Sequence, residues 1–201
     1  ESYKIVKNPK KIKNIKEKYK TGENFLLYVG NIKPHKNISR LLKSLNKLNG
    51  NNKIVIVGKK DKAYDEIFDI IKNYDLQNRV VFTGFVPDKD LVLLYNAATL
   101  FVYPSLYEGF GLPLLEAMSC GTPVITSNLS SLPEVVGNAA ITVNPYDFEE
   151  LAKKIDKVLS DKELQKILIK KGVNRAKEFT WEKTALETIK VYEKVLNTKL
   201  I

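Results

Sequence analysis

Apolar and polar positions along this chain switch between two periods. Residues 25–29 (FLLYV) form a compact apolar run that stops at Gly30, the pattern of a strand buried on both faces. Residues 38–48 place Leu41, Leu42, Leu45 and Leu48 three and four apart, which predicts an amphipathic helix. Asn49, Gly50, Asn51 and Asn52 make a turn, and a second strand at 53–57 ends at Gly58. The alternation continues. A helix is expected at 64–74 with Ile67, Ile70 and Ile71 inward, a strand at 80–82, a helix at 88–97 capped by Asp88, and a strand at 100–103. A strand at 123–126, a short helix around 132–136 and a strand at 140–143 follow. Asp147 starts a helix to 159, Asp161 another to about 179, and Thr180 caps a final helix to about 196. Residues 1–23 are polar and lysine-dense, and read as a linker plus a short helix, KKIKNIKEKYK.

Strands alternating with helices at this spacing predict an α/β fold. The expected architecture is a Rossmann-like, doubly wound parallel sheet of about six strands with extra C-terminal helices. Such sheets bind ligands at the carboxyl ends of their strands. Those ends carry the loops after Val29, Val57, Phe82, Tyr103 and Thr126.

Composition narrows the picture a little. At 201 residues and 44% hydrophobic, the chain suits one α/β domain with appendages. No apolar run approaches the ~20 residues of a membrane-spanning helix. A single cysteine, Cys120, excludes an internal disulfide, and its small-residue surroundings point to a buried, inert thiol. The only histidine is His35, so neither a Cys–His nucleophile nor a zinc site is expected, and a reducing, cytoplasmic setting is inferred. The formal charge is +10, with Lys4, Lys7, Lys10, Lys11, Lys13, Lys16, Lys18 and Lys20 crowded near the start. Solvated helix faces explain most of it. A basic edge resting on an anionic membrane, on its inner face, is the functional alternative. Nucleic acid is disfavoured, because the basic residues show no interleaved aromatics and no known module.

The candidate chemistry concentrates at residues 103–124, YPSLYEGFGLPLLEAMSCGTPV. Gly109 and Gly111 remove side chains where backbone could approach a ligand, and Pro113 fits the first turn of a helix. The N-terminus of that helix beside a Gly-Phe-Gly loop would suit phosphate. Glu116, about one turn in, could accept hydrogen bonds from hydroxyl groups. Glu108 has no helix-start role to explain it. The loop after the first strand, GNIKPHKN, lacks both the dinucleotide glycines and the GK[ST] of a P-loop, which disfavours dehydrogenases and P-loop NTPases. It offers Lys33 and Lys36 near a helix start, where cations do not help the helix dipole but would face an anion. His35 reads as a polar neighbour. Asp88 and Asp90 read as a helix start rather than a metal site. A glycosidase pair made of Glu108 and Glu116 is disfavoured, since one sits on a loop and one on a helix turn.

These residues carry a resemblance. EGFGLPLLEAMSCGTPVI resembles the Glu-x7-Glu signature of retaining, GT-B-fold glycosyltransferases of family 4, also described as glycosyl transferases group 1. YVGNIKPHKN resembles that family's diphosphate-binding loop, and VVFTGFVPDKDLVLLYNAATLFVYPSLYEGFG its intervening stretch. The likeness covers about residues 25–196. It implies two facing Rossmann-like domains, of which residues 24–201 would be the carboxy-terminal one that binds the nucleotide-sugar donor. Residues 1–23 would be the interdomain linker, and the N-terminal acceptor domain is expected to be absent. Lys36 would pair with the donor diphosphate, with Gly30, Asn31 and Lys33 on the same loop. Glu108 would lie by the sugar as the catalytic-site carboxylate, beside the backbone of Gly109, Phe110 and Gly111. Leu112 would offer its amide to phosphate, Glu116 would hold the ribose, and Gly84, Phe85 and Val86 would border the base. Many members have Arg where Asn31 stands, which leaves open whether Lys33 replaces it. The resemblance implies a UDP- or GDP-sugar as substrate, a glycan or lipid-linked acceptor, and no cofactor or metal. The competing readings are a non-catalytic basic module of the same fold, and a sugar-nucleotide epimerase or phosphorylase half.

Overall fold

The computed structural model describes residues 3–59 and 64–197. The expected turn after Val57 therefore lies partly outside the described residues, as do 1–2 and 198–201. Six strands form one sheet: β1 (Phe25–Val29), β2 (Lys53–Val57), β3 (Val80–Gly84), β4 (Leu100–Tyr103), β5 (Val124–Ser127) and β6 (Ile141–Val143). Every pairing is parallel, and the spatial order is β3-β2-β1-β4-β5-β6. Leu27 lies opposite both Val55 and Phe101, so β1 is the central spine. Leu26, Leu27, Ile54, Val55, Phe101, Val102 and Ile125 have no exposed surface. That is why the sequence shows unbroken apolar runs here: a parallel sheet is covered on both faces, so alternation with polar residues would bury unpaired polar groups.

The helices are α1 (Pro9–Tyr19), α2 (Ile38–Lys47), α3 (Tyr64–Asn73), α4 (Asp88–Ala97), α5 (Leu112–Ser119), α6 (Leu132–Val136), α7 (Phe148–Ser160), α8 (Lys162–Ala176) and α9 (Trp181–Leu196). α2 packs between α3 and α7, while α4 packs between α1 and α5, and α5 against α8. The leucines of α2 show the cause: Leu41, Leu42 and Leu45 are fully buried on one face.

Some boundaries differ from the sequence expectation. Pro87, not Asp88, is the N-cap of α4, because its carbonyl already accepts from the Asp90 and Leu91 amides; Asp88 sits in the first turn and makes no capping bond. β3 runs two residues further, to Gly84, aided by a register shift opposite Ile56 and Val57. α8 stops at Ala176, three residues early, since residues 177–179 turn the chain so that extended Thr180 can cap α9. α9 itself has no buried residue, and Trp181 is 75% exposed.

The segment expected as a linker plus a short helix carries that helix as α1, which packs on α4. Ile15 of α1 is buried, and Lys18 Nζ and Tyr19 OH both donate to Asp90 Oδ2, at 2.5 and 2.9 Å. The Lys18 hydrogen bond, first among the causes, holds the Asp90 carboxyl below the usual carboxylate range. Asp90 thus fastens α1 to α4, a role that helix-start reasoning does not reveal.

Candidate functional site

β1 lies between β2 and β4, so the sheet's strand order reverses there, and a doubly wound sheet opens a crevice at that reversal. The loops after β1 and β4 border this crevice. They are fastened together: the Leu106 N–H donates to the His35 carbonyl at 2.8 Å. Asn37 pins them again. It is 1% exposed, and its side-chain amide donates to the carbonyls of Pro104 (2.9 Å) and Pro145 (2.7 Å). Its φ of +61° is one that asparagine tolerates better than most residues.

A 3-10 turn at Pro34–Lys36 sends the Lys36 side chain inward. Its Nζ donates to Glu108 Oε1 (2.6 Å), Glu108 Oε2 (2.8 Å) and the Tyr103 hydroxyl (3.1 Å). The two charged side chains are only 15% and 12% exposed. Burial by itself pushes the Glu108 carboxyl up. The Lys36 hydrogen bonds, with the neighbouring Ser105 and Tyr103 hydroxyls and the ammonium charge, outweigh it and leave the carboxyl below its ordinary range. Burial, then the Glu108 carboxylate, raises the Tyr103 phenol. Lys36 and Glu108, expected on separate grounds, are therefore one part-buried ion pair.

The loop after β4 rests on the loop after β5. The Glu108 N–H donates to Ser130 Oγ (3.1 Å), and the Ser130 hydroxyl donates back to the Glu108 carbonyl (2.5 Å). The Ser131 hydroxyl lies within bonding distance of the Glu108 (3.0 Å) and Phe110 (2.9 Å) carbonyls. The two glycines of the loop differ. The φ of Gly111 is +110°, which calls for glycine, and a Cβ there would also lie 2.9 Å from Leu132 Cδ2 and push that methyl aside. A Cβ on Gly109 would meet nothing within 4 Å. Gly111 is also the N-cap of α5, which has no side-chain cap and no acid in its first turn. Leu112, its first residue, is exposed.

Glu116 lies about one turn into α5, as expected, and accepts from the Tyr95 hydroxyl at 2.8 Å. Burial raises its carboxyl above the usual range; the Tyr95 hydrogen bond and the neighbouring Tyr3 hydroxyl oppose this and the charge of Asp88 adds to it. A column of rings runs through the core past Tyr95, the partner of Glu116, to Tyr103, the partner of Lys36. Tyr3 meets Tyr95 (5.9 Å between centroids), Tyr95 meets Phe101 (5.4 Å), Phe101 meets Tyr103 (5.7 Å), and Tyr103 meets Tyr28 (5.7 Å).

Gly30 and Gly84 stand at neighbouring strand ends with Gly58 between them. The Gly30 N–H donates to the Val57 carbonyl (2.8 Å) and the Gly58 N–H to the Gly84 carbonyl (3.1 Å). A Cβ on Gly58 would lie 2.0 Å from the Gly30 carbonyl oxygen, so only glycine allows this approach. Phe85 is exposed and Val86 buried. They sit three strand spacings from β4, about 14 Å away. Asn31 and Lys33 are exposed, and Lys33 makes no ion pair among the described residues. His35 is exposed and contributes only its carbonyl. Burial pushes the Cys120 thiol up to about 12, which keeps it protonated and unreactive. No group of three His, Cys, Asp or Glu side chains gathers in metal-binding geometry among the described residues.

Sequence reasoning missed Asn37, Tyr95, Tyr103, Ser130 and Ser131. The tyrosines look like core residues, and their hydroxyl ends become visible only in three dimensions. Asn37 carried a local signal, a helix-start asparagine, but its side chain caps no amide: its oxygen accepts from the Arg40 guanidinium and its nitrogen goes to the two proline carbonyls.

Comparison with known proteins fits this geometry. The model of the family described as glycosyl transferases group 1 matches residues 9–175. O-antigen chain mannosyltransferase B of Escherichia coli is 37% identical over 194 residues, which cover 94% of this chain and 51% of that protein. The serotype-specific mannosyltransferase WbdA of Escherichia coli is 34% identical over 94% of this chain and 24% of its own length. The chain thus spans about half of the first of these curated relatives and about a quarter of the second. Sucrose-phosphate synthase from Thermosynechococcus elongatus superposes with a TM-score of 0.84 at 29% identity, over 98% of this chain and 50% of that one. With a family model matched over most of its length and a Rossmann-like sheet shared with a GT-B neighbour, this chain belongs to the glycosyl transferases group 1 family.

Proposed function

We propose that this chain is the donor-binding part of a glycosyltransferase that moves a sugar from a nucleoside diphosphate sugar to a glycan or lipid-linked acceptor. The observation that carries the reading is the part-buried Lys36–Glu108 pair beside the Gly109–Phe110–Gly111 backbone, at the uncapped start of α5 and on the strand-order reversal. An anion is favoured there by the Leu112 N–H at the start of α5, the positive end of that helix dipole and the Lys36 ammonium. A lysine has three donors, and here two go to Glu108 and one to Tyr103. A diphosphate oxygen reaching Lys36 would take over one of these, releasing a Glu108 oxygen to accept from a sugar hydroxyl. As the glycosidic bond breaks, negative charge grows on the diphosphate, where Lys36 and the α5 N-terminus would stabilise it. Reaction with retention of configuration and without a metal belongs to the same reading.

Glu116 would hold the ribose, and Gly84, Phe85 and Val86 the base. Only an elongated ligand reaches from β4 to β3, as a nucleoside diphosphate sugar would. Mannose is the sugar we favour, because both Escherichia coli relatives are mannosyltransferases. Exposed Lys10, Lys11 and Lys13 on α1 support a place at an anionic surface on the cytoplasmic side of a membrane.

Calorimetric titration with UDP and GDP tests the core of the proposal. Binding of one nucleotide, abolished by Lys36→Ala and Glu116→Ala, is expected. Failure of both nucleotides to bind, or binding indifferent to both substitutions, would reject it.

A further inference from the structure

The end of α8 reaches the loop between β4 and α5. Gly109 and Gly111 leave Phe110 as the one side chain between them. The Phe110 ring meets the Phe179 ring edge to face, with centroids 5.8 Å apart and planes at 76°. Phe179 stands at the junction of α8 and α9, and the Arg175 guanidinium lies over its ring, 4.7 Å from the centre. Arg175 is itself tied down. Its Nε donates to the Val135 carbonyl (2.9 Å), its Nη2 to the Glu134 carbonyl (2.6 Å), and its Nη1 pairs with Glu178. The two carbonyls belong to the end of α6, where helical carbonyls lack intrahelical donors. At the start of α6, the Ser131 hydroxyl lies within bonding distance of the Phe110 carbonyl (2.9 Å). Phe110 is thus reached twice from Arg175, once through Phe179 and once through α6. α8 is a firm base for both, since a Cβ on its Gly172 would lie 3.1 Å from Met118 Cγ of α5. Elsewhere the loop is loosely surrounded. Gly109, Phe110, Phe179 and Lys183 border a cleft of about 370 Å³, and a Cβ on Gly109 would meet nothing within 4 Å.

We infer that Phe179, held by Arg175, is a positioning residue for the donor sugar: it keeps the Gly109–Phe110–Gly111 backbone in the conformation that presents its N–H groups to the sugar hydroxyls. The inference rests on the reading of this loop as the sugar-facing one. Backbone flanked by glycines has many accessible conformations, and a ligand that needs one of them must offset the entropy of ordering it. A loop already held by its single ring avoids that cost. The nucleoside and diphosphate, proposed to lie on Glu116, Lys36 and the start of α5, draw little on the ring contact. The effect of Phe179 should therefore fall chiefly on the sugar.

Phe179→Leu keeps an apolar side chain and removes the ring, whereas Phe179→Tyr retains the ring. Each would be titrated with UDP, UDP-glucose, GDP and GDP-mannose beside the parent chain, with thermal unfolding to verify that each is folded. Phe179→Leu should bind the sugar nucleotide about threefold to tenfold more weakly, the scale of one aromatic pair, and the matching nucleotide less than about twofold more weakly. Phe179→Tyr should bind both like the parent. No loss in Phe179→Leu, equal losses for nucleotide and sugar nucleotide, or a Phe179→Tyr variant as weak as Phe179→Leu would overturn the inference. Should Phe179→Leu not fold, Arg175→Lys carries the same test, because lysine loses the planar stack and the forked donors. A parent chain that binds neither sugar nucleotide rejects the donor reading itself. One that binds a sugar nucleotide, with no selective loss in the variants, rejects only the role of Phe179.

Discussion

The helices that start beside the crevice begin differently from those that close the chain. Asp147 accepts from the Glu149 and Glu150 amides at the start of α7, Asp161 from Leu164 at α8, and Thr180 from Lys183 at α9. α2 and α5 start on Asn37 and Gly111, both at positive φ, and neither start has a side-chain cap. A side-chain cap is worth about 1 kcal/mol, so the crevice helices forgo a stabilisation that the others have. Like charge compounds the difference, because Lys36 stands one residue before the α2 N-cap, where the dipole is positive. Side-chain caps are concentrated away from the crevice, and uncapped helix starts stand beside it. That is the division of labour the proposed anion site requires.

Breaking the ion pair should have the largest effect on the crevice side. Lys36→Ala leaves Glu108 part-buried without its cation and should cost about 3 kcal/mol at pH 7. Urea unfolding measures it. Removing Glu108 as well should restore much of the loss, because no uncompensated charge then remains.

The loop glycines sharpen the comparison further. Gly111→Ala forces a Cβ into Leu132 at a strained φ and should cost about 2 kcal/mol in the same assay. Gly109→Ala faces open space and should change stability by less than about 0.5 kcal/mol, while weakening nucleotide binding. A stability loss at Gly109 equal to that at Gly111 would show that both glycines serve packing.

On the other side, Asp147→Ala should cost about 1 kcal/mol and leave UDP and GDP titrations unchanged. The smallest effect is in pH. Glu108 has a depressed folded pKa, so its contribution is complete above the unfolded carboxyl value of about 4.3 and is lost as pH falls through the lower folded value. Glu116 has the opposite shift, so it opposes folding when ionised and ceases to do so as pH falls through its raised value. Nucleotide binding that needs ionised Glu116 should weaken at a higher pH than that at which the Glu108 contribution is lost. Titrations and unfolding curves from pH 3 to 7, a range spanning ordinary carboxylates, compare the two.

Much of this fold is legible in the sequence because burial writes a simple code. FLLYV and KIVIV are strands flanked by turn glycines, and the matching elements begin and end at residues 25, 29, 53 and 57 as expected. Asp147, Asp161 and Thr180 declare helix starts through local hydrogen bonds that need no tertiary context. Asp88 misleads by one residue because Pro87 can present the first carbonyl just as well. Of the candidate site, the loop residues Lys36, Glu108, Gly109 and Gly111 stand out, since their types are costly or unusual where they occur. What the sequence hides is mutual orientation. Nothing local says that Lys36 turns toward Glu108, that Asn37 spans two loops, or that Tyr95 presents its hydroxyl to Glu116. These bonds join residues 21 to 108 positions apart, and only the folded sheet brings them together.

The ring column from Tyr3 to Tyr28 also gives the molecule a built-in optical probe. Its members absorb in the near ultraviolet, lie within contact of one another, and place the Tyr95 hydroxyl on Glu116 and the Tyr103 hydroxyl on Lys36. The single tryptophan, Trp181, stands in solvent on α9 and absorbs at longer wavelength. Tyrosine circular dichroism should therefore follow events at the crevice, and tryptophan emission should follow whatever covers the final helix. One unlabelled sample carries two independent signals, separated by colour.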